Sequence, residues 1–138
     1  MTIKLADQYL SAIPDKRTST AMLRTRAIDF PIASAVTQLT SRTTGVAVAT
    51  SAGSITTNNT SLAAETSAAF VVTCPTVAIG DVVLVCQRSG AVGLMTSINV
   101  SAVAAGSFTI NILNNNAAAG TAETGAIVIS YTVVRVRV

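Results

Sequence analysis

The sequence predicts an all-β fold, a β-sandwich of seven or eight short strands, and three observations carry that prediction. Valine, isoleucine and threonine make up 48 of the 138 residues, and branching at Cβ stiffens χ1 in a way that suits strands better than helices. From Thr43 onward, Gly, Pro and Asn recur at roughly ten-residue spacing with alternating apolar and polar residues between them. Half of the residues are apolar and 11% are charged, which supplies one core, and the chain is too short for two. This composition excludes a helical bundle. It also excludes a disordered chain, because disorder couples high charge with low hydrophobicity.

The elements follow in order. Residues 1–34 are expected to form an extended N-terminal arm and residues 35–138 the β-sandwich. Between Ala12 and Ile32 no period of two is found; Pro14 and Pro31 interrupt the chain, and Leu10, Ile13, Met22, Leu23, Ile28 and Phe30 recur irregularly. A short helix from Asp15 to Ala27 with Asp15 as its N-cap is the alternative, opposed by the poor helix formers Thr18, Ser19, Thr20 and Thr25. Val46 and Val48 then alternate with alanines, and Ser54 to Thr57 reads as a short strand. Ala68, Phe70 and Val72 share one face of a strand whose other face is Ser67, Ala69, Val71 and Thr73. Val82-Val-Leu-Val-Cys86 is apolar on both faces and predicts a strand covered on both sides. Ile98, Val100 and Ala102 alternate with Ser97, Asn99 and Ser101, and after a turn at Ala104-Ala-Gly106, Phe108, Ile110 and Ile112 alternate with Ser107, Thr109 and Asn111. These two runs predict a hairpin. Residues 114–124 form a small-residue loop, and Ala126 to Val138 a long last strand with Ile127, Ile129, Tyr131 and Val133 on one face. Arg135 and Arg137 continue that face, so the buried side is expected to change near Val133, through a bulge or a new contact.

Two cysteines, Cys74 and Cys86, fit burial or a reducing compartment. If residues 66–74 and 81–87 pair as a hairpin, Cys74 lies near its turn and Cys86 about five residues away, roughly 17 Å, which no disulfide spans. Both are therefore expected as small buried thiols.

Charge divides the chain. Residues 1–42 carry Lys4, Lys16, Arg17, Arg24, Arg26 and Arg42 against Asp7, Asp15 and Asp29; residues 43–134 carry Arg88 against Glu65, Asp81 and Glu123. The body is thus nearly uncharged, against about 25% charged residues in an ordinary domain. Such a deficit predicts that other copies of the chain cover much of the surface, since short hydroxyl, amide and methyl side chains approach closely without desolvating ions. No histidine is present and the acids are scattered, so no His-based triad, zinc site or calcium cluster is visible; Glu65 meeting Asp81 or Glu123 is the one carboxylate pairing left open. No enzymatic role and no cofactor are expected. Mean hydropathy is +0.59, yet no run of about 18 uncharged apolar residues exists, and the start, with Lys4 and Asp7, lacks the apolar stretch of a signal peptide. No membrane association and synthesis in the cytoplasm are expected. Nor is nucleic acid an expected partner despite a pI near 9.3, because the net charge is only +3 and the basic residues lack aromatic neighbours.

Several stretches carry a resemblance: Ala35-Val-Thr-Gln-Leu-Thr-Ser-Arg-Thr-Thr-Gly-Val46, Gly53-Ser-Ile-Thr-Thr57, Ser61-Leu-Ala-Ala64, Ala69-Phe-Val-Val-Thr73, Val77-Ala-Ile-Gly-Asp-Val-Val-Leu-Val85 and Val100-Ser-Ala-Val-Ala-Ala-Gly-Ser-Phe-Thr-Ile110. Together they resemble the β-domain of small tailed-bacteriophage structural proteins, the head fibre, decoration and cement proteins. The resemblance covers roughly residues 35–134 and is most specific in its opening stretch; residues 1–34 fall outside it, and Cys74 and Cys86 depart from it. It implies a jelly-roll-like homotrimer on a virion surface.

The function expected on these grounds is that of a capsid decoration or cement protein, made in the host cytoplasm, that stabilises the head by binding the major capsid protein at its outer surface as a homotrimer. An extended arm gains contact area without a core of its own. Arg17, Arg24 and Arg26 are expected to pair with capsid carboxylates, and Leu23, Ile28 and Phe30 to fill grooves between capsid subunits. The alternative for these basic residues is a solvated tail. The alternative function is a head fibre or tail-tip receptor-binding protein that uses outward loops such as residues 114–124.

Overall fold

A computed structural model describes residues 34–90 and 95–136. Among these residues there is no helix; eight strands run β1 (Ser34–Thr37), β2 (Val46–Ala47), β3 (Ala52–Thr56), β4 (Ser67–Thr73), β5 (Val82–Ser89), β6 (Thr96–Ala104), β7 (Ser107–Asn114) and β8 (Val128–Val134). They form two four-stranded sheets. Sheet I has the order β1-β3-β8-β5 and sheet II the order β2-β4-β7-β6. The pairs β1–β3 and β2–β4 are parallel and the rest antiparallel.

Alternation builds the core. Phe70 and Val72 of β4 and Phe108, Ile110 and Ile112 of β7 face Ile55 of β3 and Ile129, Tyr131 and Val133 of β8, all buried in one cluster. The rings of Phe108 and Tyr131 meet across the sheets at 5.7 Å between centroids, tilted by 44°. Each such side chain contributes about 1.5–3 kcal/mol by leaving water. A sandwich is therefore the arrangement this pattern of β-branched and aromatic residues stabilises.

Two glycines fix the local geometry. Ala105 and Gly106 turn the β6–β7 hairpin, Gly106 at a φ of +75°, and its N–H donates to the Val77 carbonyl at 2.9 Å while its own carbonyl accepts from Cys74 N–H at 2.8 Å. Gly53 lets β1 lie against β3: a Cβ there would sit 2.2 Å from the Ser34 carbonyl oxygen and 2.9 Å from the Tyr131 hydroxyl. Ser34 pairs with Gly53 and Thr132 with Ala52, so the chain enters β1 and leaves β8 at the same end of the sandwich.

The β6–β7 hairpin and the two faces of β4 stand as the alternation predicts. Five expectations differ. The hairpin expected between residues 66–74 and 81–87 does not form: β4 pairs with β7 and β5 with β8, in different sheets. Turns at Cys74–Val77 and Ala78–Asp81 carry the chain from one sheet to the other instead, held by Val77 N–H to the Cys74 carbonyl (3.0 Å) and Ala78 N–H to Asp81 Oδ2 (2.9 Å). Both cysteines are free, but only Cys74 is buried; Cys86 is exposed. Strand β5, read as covered on both sides, is a sheet edge: Val83 and Val85 face the core, while Val82, Leu84 and Cys86 face outward. In β6 a bulge between Val100 and Ala102 turns Ala102 outward and brings Val103 onto the core in its place. Finally, β8 ends at Val134 without a bulge or change of buried face, and Arg135 turns aside to Asp81. Strand β1 is an addition, too short at four residues to announce itself by alternation.

Candidate functional site

The residues expected to bind a capsid, Arg17, Leu23, Arg24, Arg26, Ile28 and Phe30, lie outside the described residues, as does the arm at 1–34 except for Ser34, which begins β1. What the described residues offer is a surface. The outward side of sheet II presents Ser67, Ala69, Val71 and Thr73 from β4, Thr109 and Asn111 from β7, and Asn99, Ala102 and Ala104 from β6, with no acid or base among them. Apart from Val71 and half-buried Leu113 of β7 on the same face, those side chains are short. A surface built this way forms few ion pairs and gives up little hydration when covered.

The strands of sheet I carry one charged residue, Arg88, exposed at the bulge near the end of β5, and the outward side of the sheet ends in an apolar band along the earlier part of that strand. Val82, Leu84 and Val134 are exposed by 47%, 56% and 44%. Val82 stands directly opposite Val134 across the β5–β8 ladder, and Leu84 follows two residues along, so the three side chains are neighbours on one pleated face. Val136 continues the band past the strand end, and Ile79, in the turn that precedes β5, is also exposed. Opposite Leu84 and Cys86 lie the hydroxyls of Thr132 and Ser130.

Between β1 and β2, and in the loops at the same end, polarity is turned inward. Arg42 is only 3% exposed, and its guanidinium donates from Nε to the Thr60 carbonyl (2.5 Å), from Nη1 to Thr57 Oγ1 (3.2 Å) and from Nη2 to the carbonyls of Glu123 (3.1 Å) and Gly125 (2.7 Å). Burial pushes its pKa below the ordinary arginine value, and the carboxylate of Glu123 works against that shift. Glu123, fully buried, accepts from Gly125 N–H at Oε1 and from the Thr96 hydroxyl at Oε2, both at 3.0 Å. Gln38 donates to the carbonyls of Arg42 (3.1 Å) and Thr44 (2.7 Å) and accepts from Asn58 N–H (3.1 Å). Asn114 donates to the carbonyls of Leu62 and Thr121, each at 3.0 Å, which pins both ends of the 114–124 loop to the sandwich.

At the opposite end, Arg135 reaches the Thr76 carbonyl at 2.5 Å and Asp81 Oδ2 at 3.6 Å, at the rim of an open depression of about 570 Å³ lined by Ser51, Pro75, Thr76, Val77, Ala78 and Val133. The Tyr131 hydroxyl donates to the Thr50 carbonyl nearby (3.1 Å); burial raises its pKa, with the hydrogen bond to Thr50 opposing. Among the described residues no three of His, Cys, Asp and Glu come together in a way that could hold a metal ion.

Sequence reasoning missed two features. Arg42 was counted with the basic first third, whereas it is a buried tie between loops; its position in a hydroxyl-rich stretch that lacks alternation was the available signal. The exposed band was visible as the run Val82–Cys86 and was read as covered from both sides. No protein-family model matches the chain, and comparison with known proteins and with solved structures finds no match to set beside it.

Proposed function

We propose that this chain is a virion structural protein, a capsid decoration or cement protein that binds the major capsid protein as a homotrimer on the outer surface of the head. The observation that carries the reading is the surface of the sandwich: two outward sheet faces with a single base between them, Arg88 at the β5 bulge, and one of them edged by exposed Val82, Leu84 and Val134. An isolated domain has little use for such a surface, whereas a domain that spends its working life packed among copies and on a shell does. Eight strands in two four-stranded sheets support a jelly-roll-like arrangement, with the parallel pairs β1–β3 and β2–β4 as a departure from all-antiparallel pairing. In this reading residues 1–34 are the arm that lies along the shell. Arg17, Arg24 and Arg26 meet capsid carboxylates there, and Leu23, Ile28 and Phe30 fill the grooves between subunits.

The test is occupancy on undecorated heads. The full chain is expected to saturate them, and the triple change Arg17→Ala, Arg24→Ala, Arg26→Ala to reduce occupancy, with high salt reproducing part of the loss. Each exposed pair is worth no more than about 1 kcal/mol, and avidity across three arms masks a single change. If the triple variant saturates heads as the parent does, the arm is not the attachment. A second reading is favoured by the tethering of the 114–124 loop at its ends through Asn114 and Glu123: receptor binding by a head fibre or tail tip. It prevails if the full chain binds host cells and not heads.

A further inference from the structure

We propose that the outward face of sheet I along β5, centred on Leu84 with Val82 and Val134, is where copies of this chain meet. The inference rests on the homotrimer reading above and assigns its contact. The geometry is that of a patch, because Val82 and Val134 are cross-strand partners and Leu84 is the next outward residue of β5. Its place in the fold also matters. Among the described strands β5 is a sheet edge, so a partner there gains apolar contact from the face and lies beside a rim that no other described strand pairs.

Charge decides the occupant. Along the patch, the outward positions from Val82 to Cys86 of β5 and from Ser130 to Val134 of β8 are Val82, Leu84, Cys86, Ser130, Thr132 and Val134, none of them an acid or a base; exposed Arg88, at the bulge before Ser89, is the one charge within the strands of this sheet. An ordinary protein surface, about a quarter charged, would lose hydration on this band and find no counter-charge to replace it. A surface that pays no such penalty must itself be nearly free of ions, and this chain, at 11% charged residues with a sheet II face free of acids and bases and a sheet I whose strands carry Arg88 alone, supplies one. The outward face of sheet II, free of acids and bases, has Val71 as its one exposed large aliphatic residue, beside half-buried Leu113 and among alanines and short polar side chains, where the β5 band has three.

Cys86 lies in the proposed contact and reports on it without any substitution. It is exposed in the single chain, while Cys74 is buried, so a thiol reagent should label one site on an isolated native chain and two after denaturation. The experiment is sedimentation of the full chain at micromolar concentration, together with the rate of Cys86 labelling, for the parent and for Leu84→Arg and Val71→Arg. The expected result is a parent of about 42 kDa, three times 14.0 kDa, whose Cys86 reacts roughly tenfold more slowly than in Leu84→Arg, which sediments as a monomer. Val71→Arg should leave both assembly and protection unchanged. A trimer whose Cys86 reacts freely, or one that persists in Leu84→Arg, overturns the assignment of the face and leaves the homotrimer standing. A parent that sediments at 14 kDa overturns both. Should Leu84→Arg fail to fold, the protection of Cys86 in the parent, measured against the same chain diluted until it dissociates, decides the matter alone.

Discussion

Two arginines mark the two ends of the sandwich, and the chain treats them in opposite ways. Arg42 is sealed under the loops at one end and donates to three carbonyls and a hydroxyl; Arg135 at the other end is 56% exposed and leans on Asp81 at the rim of an open depression. Their intrinsic chemistry is the same. What differs is the backbone around them: at the Arg42 end, loops 57–60 and 123–125 turn their carbonyls inward and need a donor, while at the Arg135 end the turn carbonyls of Cys74, Val77 and Ala78 are already taken by backbone N–H groups. A fixed positive charge goes where unpaired acceptors are, and an uncharged body makes room for few such places. The exposed band on β5 is the complement, apolar side chains that the described residues leave uncovered.

The sharpest way to break that contrast is to remove the buried arginine. Arg42→Met keeps the aliphatic stem and leaves the carbonyls of Thr60, Glu123 and Gly125 without this donor, in a region where the Glu123 carboxylate also loses the attraction of the guanidinium. Taking one partner from a buried, charged network costs about 3–5 kcal/mol, a large part of the stability of a domain this size. Urea unfolding of the variant is expected to show that loss. A cost under about 1 kcal/mol would mean that water reaches these carbonyls and that the tie is not structural.

A smaller effect is expected at Glu123. Glu123→Gln keeps the shape but replaces one acceptor oxygen with a donor; the Thr96 hydroxyl rotates to adapt, and Gly125 N–H cannot if it faces the amide NH₂. One mismatched buried hydrogen bond costs about 1–3 kcal/mol. Urea unfolding measures this as well, and the expected signature is local: amide exchange should accelerate in residues 115–125 before it does in β7 or β8. Uniform acceleration would show that the loop and the sandwich open as one unit.

How much of this was legible beforehand follows from what alternation encodes. Period two records which side chains share a face, so the inward rows of β4, β7 and β8 and the β6–β7 hairpin could be read directly from residues such as Phe70, Ile110 and Ile129. Partners across sheets are not encoded locally. The run Val82–Cys86 has the same appearance in a central strand and in an edge strand whose outer face meets another molecule, and only the sheet order separates the two. The bulge at Ser101 left a trace, Val103 after Ala102, that simple alternation overrides. Arg42 and Glu123 are 81 residues apart and have no common pattern, so the tie between them depends on loop closure that no window of sequence contains. The arm residues, Arg17 to Phe30, belong to neither class, since their contacts are expected in another molecule.

The smallest effect should come from the second arginine, and it completes the comparison. In Arg135→Gln the Thr76 carbonyl loses a charged donor but remains open to water, and Asp81 keeps the hydrogen bond from Ala78 N–H that holds the turn before β5. The pair is half in solvent, with the arginine side chain 56% exposed, so its Coulomb attraction is screened and offset by the entropy of a long side chain held in place. The expected loss is no more than about 1 kcal/mol, and it should shrink further in high salt, where screening has already removed most of what the pair contributes. Measuring parent and variant by urea unfolding at low and high salt gives both numbers. A salt-independent loss of about 3 kcal/mol would place Arg135 with Arg42 as a buried tie, and would require something outside the described residues to cover this end of the sandwich.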